Sequence, residues 1–371
     1  MNILALNSGS SSLKFKLFQI SSTLETVLAE GTVEQLNSEG LLSAAKKAID
    51  SCRQFGIEAV GHRVVHGGAR FTKPIRVTPE VIKDLHGLEP LDPLHNPVEV
   101  ALIEAATRLL PDAPVVAVFD TAFHRTLPEV AWRYALPREL SDRLGLRRYG
   151  FHGLSHQYVS GKLLACLERD PEGSKVIVCH LGNGASVCAL RDGKSVDTSM
   201  GLTPLEGLVM GTRSGDIDPG LLLYLLRTQE MTPESLDDLL NHRSGLLGLS
   251  GRSADVRELE SAAQGGDAAA ELALEIFAYR VCKYIGAYTA ILEGVDAVAF
   301  TGGIGQHSPT MRSRICRRLG FLGLSLDNGR NFGAGNEPTK ISVDSGSVSV
   351  WMIPTDEELQ IARETRKVLA F

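Results

Sequence analysis

The chain has 371 residues, 43% of them hydrophobic and 22% charged, with 38 basic against 44 acidic side chains. That balance excludes a disordered chain, a collagen and a coiled coil, and the length points to two or three globular domains. The net charge of −6 argues against a nucleic-acid partner, and apolar runs such as Val115–Phe119 fall far short of the ~20 residues of a membrane span.

The first apolar run, Ile3–Leu6, is also too short and too uncharged for a signal peptide, so a cytoplasmic protein with no membrane partner is expected. It stops at a small polar turn, Asn7–Ser12, and residues 13–18 then alternate with the period of a strand. Residues 176–179 run into His180-Leu-Gly-Asn-Gly-Ala-Ser186, followed by a second strand over 187–190. Both read as hairpins with donor-rich turns, one a divergent copy of the other. Residues 295–300 meet Thr301-Gly-Gly-Ile-Gly305 and then a helix from about 309 to 319. Residues 348–353 meet Pro354-Thr-Asp-Glu-Glu358 and the last helix. Further helices are expected over 41–52, 97–109, 155–167, 219–226, 233–240 and about 268–292. Helices between strands argue for mixed or parallel sheets covered on both faces. A hairpin-plus-crossover unit used twice implies two similar α/β domains with a cleft between them. Tyr149-Gly150-Phe151 is the expected crossing, and the terminal helix is expected to return to the first domain.

Counting removes several familiar signatures. Asp192-Gly-Lys-Ser195 ends like a P-loop, but the required upstream glycine is Cys188. Gly182-x-Gly184 lacks its third glycine at Val187, and there is no Gly-x-Ser-x-Gly. His62/His66 and His152/His156 have metal-ligand spacing without the glutamate of a metalloprotease. Six scattered cysteines form no Cys-x-x-Cys pair and read as free thiols. Arg314, Arg317 and Arg318 share a helix face and read as solvated charges. Thr355-x-x-Glu358 reads as a capping box.

What remains are glycine-rich turns that suit phosphate oxygens, with Lys14 beside the first. Three segments place charge among glycines: Gly61-His-Arg-Val-Val-His-Gly-Gly68, Phe119-Asp-Thr-Ala-Phe-His124 and Gly211-Thr-Arg-Ser-Gly-Asp216. Arg63 and Arg213, beside apolar and glycine neighbours, suit anion capture.

These segments, with Pro93-Leu-His-Asn-Pro97, Tyr149-Gly-Phe-His-Gly153, Pro204-Leu-Glu-Gly-Leu208 and the run from Gly211 to Pro219, resemble the acetate kinase (acetokinase) family. The resemblance keeps its order from residue 2 to about residue 366. It implies the acetate and sugar kinase/Hsp70/actin fold, in which two duplicated actin-like (ribonuclease H-like) domains carry mixed sheets covered by helices. The first would be 1–148 plus the C-terminal helix 355–371, with acetate and phosphate elements, and the second 149–354, with nucleotide elements. The implied activity is reversible phosphoryl transfer from ATP to acetate, giving ADP and acetyl phosphate, by a cytoplasmic homodimer using Mg²⁺, with Mn²⁺ as a substitute.

Position by position, the resemblance implies that Asn7 and Glu357 hold the metal, which overrides the helix-start reading of Glu357. Asp120 would be the essential acidic residue, and His152 and Arg213 the pair that stabilises the transition state. Arg63 would bind the acetate carboxylate, with Val65, Leu94, Phe151 and Pro204 around the methyl group. The nucleotide would meet Lys14, then His180, Leu181, Gly182, Asn183 and Gly184, then Asp255, Val256 and Arg257, and finally Gly303, Ile304, Gly305, Gln306 and His307. In a strand, Val65 would point to the same side as Arg63. Two departures stand out: Gln306-His307 replaces the family's usual Glu-Asn, and the segment between Phe18 and Gly61 is shorter than usual. Because acetate is already an anion, Asp120 is expected to orient an arginine or a metal-bound water rather than accept a proton. A sibling carboxylate kinase and a nucleotide switch on the same fold are the competing readings.

Overall fold

A computed structural model of the chain describes residues 1–9, 12–21, 23–34, 40–92, 95–228 and 231–370. The fold has two compact units, one of Met1–Arg125, Phe151–Tyr158 and Asp356–Phe371, the other of Thr126–Gly150 and Val159–Thr355.

The first unit is built on a six-stranded sheet in the order β3-β2-β1-β4-β6-β5. Its strands are β1 (Asn2–Ser8), β2 (Ser12–Ile20), β3 (Glu25–Glu34), β4 (Ala59–Val64), β5 (Ile75–Arg76) and β6 (Val115–Phe119). β1 and β2 form the expected hairpin, and β4 and β6 follow in parallel. β1 is a continuous apolar run because both of its faces are covered. Leu4 and Leu6 join a core with the helices Leu41–Cys52 and Asn96–Leu109, while Ile3 and Ala5 meet Ile361 and Ala362 of the helix Glu357–Leu369. The terminal helix therefore packs on the first sheet.

The second unit repeats this plan with β7 (Lys175–Leu181), β8 (Ala185–Arg191), β9 (Lys194–Thr198), β10 (Ala297–Thr301), β11 (Thr339–Lys340) and β12 (Ser349–Met352). Its order is β11-β12-β10-β7-β8-β9. In each sheet three antiparallel strands are followed by two parallel ones and a short antiparallel edge strand. The fold is thus α/β with one topology used twice. The 25-residue helix Ala268–Leu292 covers β7 and β8, burying Phe277, Val281 and Ile285. Asp267 caps it by accepting from the Ala269 and Ala270 N–H groups.

The structure departs from the sequence reading in several places. β3 was not expected: its polar residues sit on a mostly exposed strand, which leaves no clean alternation to read. The segment after β10 is a short helix, Gly302–His307, rather than a turn. Gly302 opens it at φ +75°, where a Cβ would lie 2.6 Å from the Leu181 carbonyl oxygen. The arginine face at 314–318 is not simply solvated. Arg314 is largely buried and pairs with Glu271 and Glu275, while Arg317 and Arg318 share Glu275. The carboxylates lie on a different helix, so charge spacing within one helix could not reveal them. The capping box at Thr355 is also absent. Asp356 caps the last helix by accepting from the Leu359 N–H, and Thr355 Oγ1 is buried without a partner.

Candidate functional site

In the first unit, four of the expected residues converge at the C-terminal ends of β1, β4 and β6. Asn7 and Arg63 are the second-to-last residues of β1 and β4, and Asp120 follows β6. Glu357 opens the last helix. Arg63 donates to Asp120 Oδ2 through Nη2 at 2.6 Å and Nε at 3.2 Å, and to Asn7 Oδ1 through Nη1 at 3.2 Å. Asn7 Nδ2 in turn donates to Glu357 (3.0 Å) and Glu358 (2.9 Å). Asp120 is 1% exposed in this pair and Arg63 14%. Burial works against the Arg63 charge, but Asp120 and Glu357 outweigh it and hold the guanidinium well above its usual range. Burial likewise pushes the Glu357 carboxyl up, with Arg63 opposing. Lys14, exposed on β2 and directly across from Asn7, also lowers Glu357.

His152 stands in the left-handed region at φ +55°, uncommon for a residue with a side chain. Its carbonyl accepts the first bond of the helix Gly153–Cys166, from the His156 N–H. A Cβ on Gly153 would collide with the Asp120 carbonyl, so the glycine lets this helix start close against the end of β6. Phe151 is buried, accepts from His124 Nε2 at 3.1 Å and meets the His66 ring edge-on. Val65 is buried too, but lies one residue past β4, so the strand rule relating it to Arg63 does not apply. Leu94 and the turn residues Ser10 and Ser11 lie outside the described residues.

In the second unit a cavity of about 550 Å³ is lined by Gly182, Asn183, Asp255, Val256, Arg257, Gly303, Ile304 and His307, among others. Three separated segments proposed from the sequence thus share one pocket. Asp255 caps the helix Val256–Gln264 and binds the Arg257 guanidinium, whose hydrogen bonds hold the carboxyl below its usual range. His180 and Leu181 end β7, and Gly184 closes the hairpin by accepting from the Gly182 N–H at 3.0 Å. Gly305 and Gln306 complete the short helix, where both carbonyls accept from the buried Arg312. Gln306 Nε2 reaches Asn336, and neither residue lines this cavity. Arg213, half-buried, donates to the Pro204 carbonyl at 3.3 Å.

Sequence reasoning missed several supporting residues. Asp216 accepts from the Gly207 N–H and from Tyr284, which pins the loop carrying Arg213 to the long helix. Arg148 pairs with Glu206 and donates to the carbonyls of Thr198, Ser199 and Met200. In the first unit Glu358 and Glu99 were overlooked. Glu358 lay inside the motif read as a cap, while an isolated glutamate in a helix, like Glu99, carries no signal until its burial is known.

The chemistry of the first cluster suits a hard divalent cation. Asn7 and Glu357 offer one amide and one carboxylate side chain, and Mg²⁺ commonly takes one or two carboxylates while keeping several waters. Among the described residues no group of three or more His, Cys, Asp or Glu is placed to hold a metal unaided. The residues therefore fit a solvated Mg²⁺ better than a fully caged ion.

Comparison with known proteins gives one answer. The sequence profile of the Acetokinase family matches residues 41–363. The acetate kinase of Dictyoglomus turgidum is 47% identical over 399 aligned positions, covering 100% of this chain and 98% of the relative. That of Clostridium botulinum is 46% identical, covering 100% of both. The alignments are longer than the chain itself, so the relatives carry segments that it lacks. Among solved structures, Porphyromonas gingivalis acetate kinase superposes with a TM-score of 0.91 at 41% identity, covering 99% of each chain. A propionate kinase from Francisella tularensis gives 0.89 at 39%, also covering 99% of each. With its whole length matched and its motifs in order, the chain belongs to the acetokinase family.

Proposed function

We propose that the chain catalyses reversible, Mg²⁺-dependent phosphoryl transfer between ATP and acetate, giving ADP and acetyl phosphate by direct in-line displacement. The observation that carries this reading is the largely buried guanidinium of Arg63, held at the strand ends beside Asn7, Asp120 and Glu357. A carboxylate acceptor needs such a cation, and it needs no base because it is already ionised. In the forward reaction an acetate oxygen forms a bond to the γ-phosphorus as the bond to the β–γ bridging oxygen breaks, and the electron pair leaves on ADP. Charge then spreads over the equatorial oxygens and has to be met by fixed cations and donors.

In this reading Arg63 binds the acceptor, with Val65, Leu94, Phe151 and Pro204 around its methyl group, and Asp120 aims Arg63. His152 and Arg213 stabilise the developing charge. Asn7 and Glu357 would hold Mg²⁺, which when bound offsets the phosphate charge. ATP or ADP would lie along Lys14, the 180–184 turn, residues 255–257 and residues 303–307. The first domain, 1–148 with 355–371, would carry the acetate and phosphate elements and the second, 149–354, the nucleotide elements.

A cytoplasmic homodimer completes the proposal. Its support is the helix Pro219–Thr228, which buries none of its residues and exposes Leu221, Leu223 and Tyr224, apolar surface suited to a second copy. The likeness to a propionate kinase favours one second reading, a sibling kinase for a longer carboxylate. Acyl phosphate trapped as the hydroxamate, with ATP and each of acetate, propionate and butyrate, separates the two. Turnover of none of them would refute both.

A further inference from the structure

The helix Asn96–Leu109 presents two polar side chains, one turn apart, to the segment that follows β4. Asn96, fully buried, accepts the His66 N–H at 3.3 Å and donates to the His66 carbonyl at 3.1 Å. Glu99, 1% exposed, accepts the Val65 N–H through Oε2 at 2.9 Å. Its other oxygen, Oε1, is buried without a hydrogen-bond partner. An ionised carboxylate there would strand charge on an unsatisfied oxygen, which is far costlier than a neutral polar group. A proton on Oε1 removes that charge and leaves Oε2 free to hold Val65.

The charged groups that act on Glu99 are Arg63 from β4, Asp120 from the end of β6 and Asp92 from the turn before its own helix. His62, also on β4, is pushed down to about 4 by burial and stays neutral. On the neighbouring helices Leu41–Cys52 and Pro79–His86, residues Lys46, Lys47, Asp50, Glu80, Lys83 and His86 are exposed, and Asp84 pairs with Arg70. Burial lifts the Glu99 carboxyl to about 8; Arg63 opposes that rise and the two aspartates add to it.

We propose that Glu99 is a positioning residue of the acceptor pocket, a buried carboxyl that keeps its proton so that it fixes the Val65 backbone without adding a further anion beside Arg63. The inference rests on the reading of Arg63 and Val65 as acceptor-binding residues. Once ionised, Glu99 competes for the guanidinium and repels the incoming carboxylate. By linkage, a bound acetate raises the affinity of Glu99 for its proton by the same factor.

The test is the acetate KM and kcat of the wild type, Glu99→Gln and Glu99→Ala between pH 6.5 and 9.5, at saturating ATP and Mg²⁺. As the protonated fraction falls to about a tenth at pH 9, the wild-type KM should rise about tenfold over its pH 7 value, with a much smaller change in kcat. Gln keeps an oxygen for Val65 and cannot ionise, so its KM should not show this rise, whereas Ala should raise KM at every pH. Stability gives a second readout. Glu99 holds its proton more tightly folded than unfolded, so wild-type stability should fall as pH rises from about 4.5 to about 8. Glu99→Gln should lose less over that window. Parallel KM profiles for wild type and Gln would overturn the inference. Absence of acetate-dependent ADP formation by the wild type at any pH would instead overturn the proposed function.

Discussion

Replacing Asp120 separates the structural from the chemical part of the site. Asp120 and Arg63 are both largely buried, with two guanidinium nitrogens on one carboxylate oxygen. Removing one partner of a buried pair typically costs ~3–5 kcal/mol, because the survivor keeps its charge without its counter-ion. In Asp120→Ala, Arg63 retains Asn7 Oδ1 at 3.2 Å, the Ser8 carbonyl at 3.4 Å and the field of Glu357. The loss should therefore sit at the low end, about 3 kcal/mol. At about 2–4 °C per kcal/mol for a unit of this size, Tm should fall by roughly 6–12 °C. Asp120→Asn keeps the shape and an acceptor oxygen, so it should lose less stability while still releasing the aim of Arg63. A misplacement of that kind can cost about 10²-fold in rate. Thermal unfolding and acetate-dependent ADP release, measured on both variants, give the comparison. If Asp120→Ala keeps its Tm and Asp120→Asn its kcat, the pair neither holds the strand ends together nor aims the guanidinium.

Arg213→Ala should lower kcat by about 10²–10³-fold with a smaller change in nucleotide affinity, and Arg63→Ala should act mainly on the acetate KM; equal, small effects on every parameter would contradict the assignment. The Gln306-His307 sequence should admit purine triphosphates more broadly, because His307 lines the cavity where the family usually carries an asparagine. An ATP-over-GTP preference that Gln306→Glu with His307→Asn leaves unchanged would count against this. Val65→Ala should raise relative activity on propionate about tenfold, since one methylene is worth ~1–3 kcal/mol in such a pocket; an unmoved acetate-to-propionate ratio would remove Val65 from the wall. Leu223→Glu should convert a sedimenting dimer to a monomer, and a wild type that sediments as a monomer would end the homodimer proposal.

Much of the fold was legible because its local signals agree with its tertiary setting. The helices expected over 41–52 and about 268–292 appear as Leu41–Cys52 and Ala268–Leu292, where periodicity and burial coincide. The runs at 3–6 and 176–179 become central strands buried on both faces, and polar turns follow each. What the sequence hid is relational. β3 is an edge strand whose pairing with β2, rather than its own composition, makes it a strand. Asp356 replaces Thr355 as the helix cap because side-chain geometry chooses between two adjacent candidates, while Glu358 turns to Asn7. Arg312 has no sequence signal that sets it apart from the arginines after it, yet it is buried and donates to the carbonyls of Gly305, Gln306 and Asn331. For the candidate site, motifs located Asn7, Arg63, Asp120 and Glu357 individually. That Arg63 spans Asn7 and Asp120, and that Glu99 supports Val65 from another helix, needed the structure.

The central claim is that Arg63 exists to receive a carboxylate that then takes a phosphoryl group. The most direct measurement is hydroxylamine trapping of the acyl phosphate formed from ATP and acetate, propionate or butyrate by wild type and Arg63→Ala. The account predicts acetohydroxamate as the favoured wild-type product, propionate modestly behind, and an Arg63→Ala enzyme that recovers part of its rate only at much higher acetate. ADP release without any trapped hydroxamate, or an Arg63→Ala enzyme with an unchanged acetate KM, would contradict it.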